Sequence, residues 1–218
     1  QVPLLTWEPQ DQVGNITADQ PDFRLSRIYG GAFDNYIRSY ARGIKATGLP
    51  VIIRLGHEMN GNWYPWSEWS DTQGVPVNGN AQGDYPRMWR HVHDLFAAEG
   101  ANPLVIWLWS PNRVNRICGQ RRPEAFYPGD GYVDYSGWHI YQDNGVPDAP
   151  ERDYAAIKLL TPGKPLIAGE VSGDGKWVTT HLADLVRNKG VTAVWFEEGS
   201  FSVSARNAGP AIKAMLAP

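Results

Sequence analysis

Short apolar runs rich in β-branched and aromatic residues recur along the chain at residues 2–7, 51–55, 104–109, 133–140, 165–168 and 192–196. They stay apolar at successive positions instead of alternating. That pattern predicts strands buried on both faces, hence parallel strands covered by helices. Between them, amphipathic stretches predict helices over residues 33–46, 85–98, 154–160, 178–188 and 205–215. Asp84 and Asp153 stand where helix N-caps belong, and Gly48, Gly100 and Gly190 where helices should stop. The connections at 10–31, 62–83 and 112–131 are long and polar, as loops that carry function usually are. Regular strand–helix alternation means a doubly wound sheet or a (β/α)8 barrel, and periodicity alone does not choose between them. No repeat, low-complexity tract or linker divides the chain, which reads as a single domain.

Composition narrows the class. A chain of 218 residues can bury a substantial core, and a net charge of −3 gives no electrostatic reason to expect nucleic acid or an anionic membrane as partner. No apolar run reaches the roughly 18 residues of a membrane span. The opening QVPLLTWEPQ has neither a basic start nor a small-residue cleavage site, and Gln1 in place of Met suggests a processed or shortened chain. Cys118 is the single cysteine, so no intrachain disulfide forms; despite Arg121 and Arg122 nearby it reads as an ordinary semi-buried thiol. The unusual count is 10 Trp beside 10 Tyr, more rings than packing alone requires and suited to stacking on sugar faces.

The polar residues of interest gather at the ends of the expected strands: Trp7 and Glu8, His57 and Glu58, Ser110 to Asn112, His139 and Tyr141, Gly169 and Glu170, and Glu197 and Glu198 after Trp195. In a parallel barrel those ends meet at one mouth, where active sites of that fold lie. Two carboxyl groups in one mouth are what glycoside hydrolysis needs, one to protonate the leaving oxygen and one, ionised, to attack or stabilise the anomeric carbon. Glu58 and Glu170 are the pair singled out, each after an apolar run and flanked by Gly56 and Gly61 or by Gly169. Trp63, Tyr64 and Trp66 crowd Glu58 and form a candidate stacking surface, stiffened by Pro65. Tyr141 is the candidate donor that keeps Glu170 ionised. Arg54, a strand arginine that needs an anionic partner, is read as electrostatic support for Glu170.

The segment RLGHEMNGNWYPW, residues 54–66, resembles the acid/base segment of glycoside hydrolase family 26. LTWEP, WLWSPN, GWHIYQ, KPLIAGEVS and TAVWFEE follow in that family's order, so the resemblance covers nearly the whole chain. It implies a retaining endo-β-glycanase on a (β/α)8 TIM-barrel fold, with Glu58 as acid/base after the fourth strand and Glu170 as nucleophile after the seventh. It further implies His57 as a contact at the −1 subsite and Trp195 as the sugar platform there. Asn112, Trp109, Trp138 and Trp7 are secondary candidates, and Glu8, Glu197 and Glu198 are spare acids suited to binding hydroxyls. By this count the first two strand–helix units of the barrel are absent, and a full barrel needs about 250 residues. A second chain, or a missing N-terminal segment, is therefore expected to complete the barrel.

The implied substrates are polysaccharides: β-1,4-mannan first, then mixed-linkage β-1,3-1,4-glucan and β-1,3-xylan. Double displacement on any of them requires the carboxyl groups about 5–5.5 Å apart. Secretion is expected by analogy with polymer-degrading enzymes. No cofactor or metal is expected. A zinc-peptidase reading of HEMNG fails because Gly61 stands where the second histidine belongs, and His91 and His93 are two apart on an expected helix. The rival class is a non-catalytic carbohydrate-binding protein that kept the rings; retention of both acids argues against it.

Overall fold

A computed structural model describes residues 2–11, 17–69, 75–113, 122–142 and 150–217. It divides into two compact units, residues 1–111 with 116–134, and residues 112–115 with 135–218.

The first unit holds β1 (Leu4–Trp7), α1 (Leu25–Tyr29), α2 (Asp34–Thr47), β2 (Val51–Leu55), α3 (Asp84–Ala98) and β3 (Val105–Trp109). The strands are parallel, with Leu5 beside Ile53 and Ile53 beside Trp107. β2 lacks hydrophobic alternation because both its faces are covered: Val51, Ile53 and Leu55 are buried on one, and on the other Arg54 is buried and Ile52 half-buried. Burying each such side chain contributes about 1.5–3 kcal/mol. α2 stops at Gly48, whose φ of 65° gives the left-handed turn that a side chain would resist.

α3 corrects one expectation. Its cap position is Gly83, with φ 88°, and Asp84 is already helical. Asp84 instead accepts from the Ala81 backbone N–H at 2.7 Å and from the Tyr29 hydroxyl at 2.9 Å. The helix's first donors go to buried Glu68, whose carboxylate accepts from Tyr85 N–H at 2.8 Å and Gly83 N–H at 3.1 Å. A carboxylate at a helix N-terminus also meets the positive end of the dipole. Tyr85 then sends its hydroxyl to the Leu55 carbonyl, and burial, reinforced by Glu68, pushes its ionisation well above the usual range.

The second unit holds β4 (Tyr135–Tyr141), α4 (Pro150–Leu160), β5 (Leu166–Ser172), α5 (Gly175–Trp177), a π-helical stretch (Val178–Leu182), α6 (Ala183–Arg187), β6 (Thr192–Trp195) and α7 (Gly209–Leu216). Its three strands are parallel too. Asp153 is not a cap here. It lies inside α4, buried, and accepts from Arg113 Nε at 3.1 Å, a charge pair held away from water. The cap that does form is Asp174, which accepts from Trp177 N–H at 2.8 Å and starts the helix three residues before the expected position.

One strand is longer than its apolar run suggested. β5 continues through Gly169 and Glu170 to Ser172, because all seven of its residues are buried. Trp138 pairs with Ala168 but His139 with Glu170, so Gly169 is an extra residue opposite β4. The pairing with β6 slips over the same stretch, from Ala168 with Ala193 to Val171 with Trp195. That is a β-bulge, a device that re-aims a side chain within a strand. The connection at 10–31 also contains α1, which its polar composition hid. Cys118 and Arg121 lie outside the described residues.

Candidate active site

Glu58 sits three residues past β2, at a backbone position uncommon for a residue with a side chain. Its φ is 54°, left-handed for a residue with a side chain, and it is 8 % exposed. Non-glycine residues in this region carry strain that the surroundings must enforce. Here the Glu58 N–H donates to the Ser110 carbonyl and the Glu58 carbonyl accepts from Gly61 N–H, both at 2.9 Å. Gly56, φ 50°, makes the preceding turn, where an added Cβ would press on the rings of Tyr85 and Trp66.

The aromatic cluster divides into two jobs. Trp63 is 40 % exposed, and its indole N–H donates to Glu58 Oε2 at 2.9 Å. The ring lies over Gly61, where an added Cβ would fall 2.5 Å from it. Tyr64 is half-buried and stacks on Trp66 at 4.2 Å and 11°. Trp66 itself is fully buried, with its N–H on the His57 carbonyl at 2.7 Å. The expectation that Trp66 contacts substrate is therefore corrected: it is a packing ring that supports Tyr64. Trp109 and Trp138 are likewise fully buried, and Trp7 stacks on Tyr40 of α2 at 4.7 Å. His57 is buried, with Nε2 3.2 Å from the Tyr64 hydroxyl and Nδ1 3.9 Å from Glu8 Oε1. Arg54 donates through Nε and Nη2 to Thr6 Oγ1.

In the second unit the bulge at Gly169 brings Glu170 level with His139. The Tyr141 hydroxyl donates to Glu170 Oε2, and His139 Nδ1 stands 3.5 Å from the same oxygen. Glu170 is 9 % exposed and His139 is fully buried. His139 had been noted only as a strand-end residue; the glycine interrupting an apolar strand was the signal that could have placed it beside the acid. Phe201 packs on Tyr141 at 5.4 Å, and its carbonyl accepts from both Ser172 Oγ at 2.8 Å and Trp195 Nε1 at 2.9 Å. Trp195 is thereby fixed while part of it stays open to solvent. Asn112 is buried and its Oδ1 accepts from Arg113 N–H, the residue paired with Asp153. Glu197 and Glu198 are exposed.

Comparison with known proteins shows the family of the chain. The model of glycosyl hydrolase family 26 matches residues 11–204. The chain belongs to glycosyl hydrolase family 26. Among curated members, Endoglucanase H of Acetivibrio thermocellus is 30 % identical over 213 residues, 89 % of this chain and 21 % of that protein. A mannan endo-1,4-beta-mannosidase of Bacillus subtilis is 29 % identical over 150 residues, 65 % of this chain and 39 % of that enzyme. The chain thus spans a fifth to two fifths of these relatives. Among solved structures, a mannanase of Bacillus subtilis superposes with a TM-score of 0.64 at 21 % identity, over 94 % of this chain and 61 % of the other. A β-mannanase from a symbiotic protist of the termite Reticulitermes speratus, complexed with gluco-manno-oligosaccharide, gives 0.68 at 18 % identity over 99 % and 65 %. The fold of this family 26 chain is accordingly of the (β/α)8 type, short of the full set of strand–helix units, with six strands among the described residues.

Proposed function

We propose that this chain carries the catalytic acids of a retaining endo-β-glycanase acting on β-1,4-mannan. The observation that carries the reading is that one family-matched span contains both acids, each in a built pocket: Glu58 under the Trp63 indole, Glu170 under the Tyr141 hydroxyl. The Tyr141 hydroxyl hydrogen-bonds the carboxylate to which the nucleophile's role is given. In the first step Glu170 attacks the anomeric carbon while Glu58 gives its proton to the departing oxygen. Water then attacks the glycosyl ester, and Glu58 takes the water's proton. The exposed face of Trp63 and the held indole of Trp195 offer flat apolar surfaces to sugar rings. A polymer too large to enter a cell requires the enzyme outside it.

Mannan leads because several relatives bear the name mannan endo-1,4-beta-mannosidase. A β-1,4- or mixed-linkage glucan is the second reading, favoured by the longer match to Endoglucanase H. The test is release of oligosaccharides from mannan, mixed-linkage glucan and β-1,3-xylan, with the product anomer followed by NMR. Glu58→Gln should cost about 10²–10⁴-fold on polymer, and Glu170→Ala should remove turnover by orders of magnitude and yield the inverted glycosyl azide when azide is supplied. Inversion by the native protein would overturn the mechanism. Undiminished turnover in both variants would overturn the site, and binding without turnover would favour the carbohydrate-binding rival.

A further inference from the structure

Two buried asparagines outside the motif hold the acid/base loop in place. Asn80 is 1 % exposed, and its Nδ2 donates to the Pro65 carbonyl at 2.7 Å and the Ser67 carbonyl at 2.8 Å. Asn78 is 5 % exposed, and its Nδ2 reaches the same Pro65 carbonyl at 3.1 Å. Their oxygens face the other way: Asn80 Oδ1 accepts from Leu25 N–H and Asn78 Oδ1 from Gln20 N–H, both at 2.9 Å. Arg24 Nε adds a bond to the Asn78 carbonyl at 3.0 Å. The Pro65 carbonyl, which sits in the middle of the aromatic segment, is thus gripped twice and tied to the chain entering α1.

A proline carbonyl is an unusual anchor to serve with two buried amides. Elsewhere the segment is pinned by Ser67 N–H on the Tyr64 carbonyl and by the Trp66 indole on the His57 carbonyl. Trp63 is the most exposed of its rings, resting only on Gly61 and edge-on to Tyr64 at 6.3 Å, so where its indole points depends on the backbone that carries those contacts. What remains to fix it is the backbone of residues 64–67, and that is what the asparagines hold. Asn78 also sits at φ 52°, a strained backbone in a residue whose side chain is fully engaged.

We propose that Asn78 and Asn80 are positioning residues for catalysis, holding the Trp63 indole N–H on the Glu58 carboxylate through the Pro65 carbonyl. The proposal rests on the reading of Glu58 as acid/base. It predicts energetic coupling between residues that do not touch.

The test compares Asn80→Ala, Asn78→Gly and Trp63→Phe, singly and combined, on the most responsive of the three polymers. Asn78→Gly keeps the left-handed backbone without strain, so it folds even if Asn80→Ala does not. Each single variant should lower kcat by about ten-fold and displace the same limb of the pH profile in the same direction. Adding Asn80→Ala or Asn78→Gly to Trp63→Phe should cost nothing more, since the bond is already gone. Additive losses with an unmoved pH profile would reduce the asparagines to fold maintenance and overturn the proposal, while Glu58→Gln would still report on the site itself. A readout independent of turnover is the Trp63 indole resonance, identified by its loss in Trp63→Phe. It should shift with pH in the native protein and lose that response in Asn78→Gly. A response that persists unchanged there would also overturn the proposal.

Discussion

At the scale of single residues, the site depends on what is absent as much as on what is present. Gly61 has no side chain, and the Trp63 ring occupies the space where a Cβ would fall 2.5 Å away. Gly61→Ala should push the indole off Glu58 and cut kcat by roughly ten-fold, yet leave the melting temperature nearly unchanged. The side chain added stiffens the unfolded chain by about 0.4–1 kcal/mol, which offsets part of the strain. A calorimetric scan beside a kinetic assay checks both halves; a large loss of stability with normal kcat would show that the ring keeps its place on Glu58 and the clash is borne as strain. Glu58 was legible in the sequence because a histidine, a glycine turn and aromatic rings surround it within a dozen residues. His139 was not, since its position beside Glu170 comes from pairing across a bulge, which no local pattern reports. Trp66 was misread for a related reason: the sequence shows that rings cluster, but burial decides which of them reach solvent.

At the scale of elements, hydrophobic runs located all six strands and the principal helices, because strands buried on both faces leave an unmistakable apolar signature. Ends were less legible. β5 runs on through polar residues that burial in this fold keeps in the strand, and Glu68 caps α3 from seventeen positions away, beyond any capping motif. Asp174 shows what such a cap contributes. It accepts from Trp177 N–H and from Gln142 Nε2 at 3.0 Å, and these bonds, led by the backbone one, hold its carboxyl below the usual range. A depressed carboxyl stabilises the fold fully above its unfolded value and loses that contribution as pH falls through the folded one. Asp174→Ala should therefore cost about 1 kcal/mol at neutral pH, and the gap between native and variant should narrow below about pH 4. Denaturant midpoints at pH 7 and pH 3 measure it; an equal gap at both would show that the cap does not depend on charge.

At the scale of the whole molecule, the strand count matters more than any residue. Among the described residues β1 pairs with β2 on one side, and its other edge carries no strand. That edge is apolar and accessible: Leu5 is 36 % exposed and Val2 43 %, with Tyr36 of α2 at 57 %. Unpaired strand edges of this kind are templates for further pairing unless charge or proline blunts them, and Leu4 to Trp7 supply neither. The chain should accordingly self-associate as its concentration rises, read by sedimentation velocity. Leu5→Lys, which places a charge on the edge without touching the Arg54–Thr6 bonds, should return it toward the monomer. If native protein and variant both sediment as monomers across the same range, the exposed edge does not recruit a second copy.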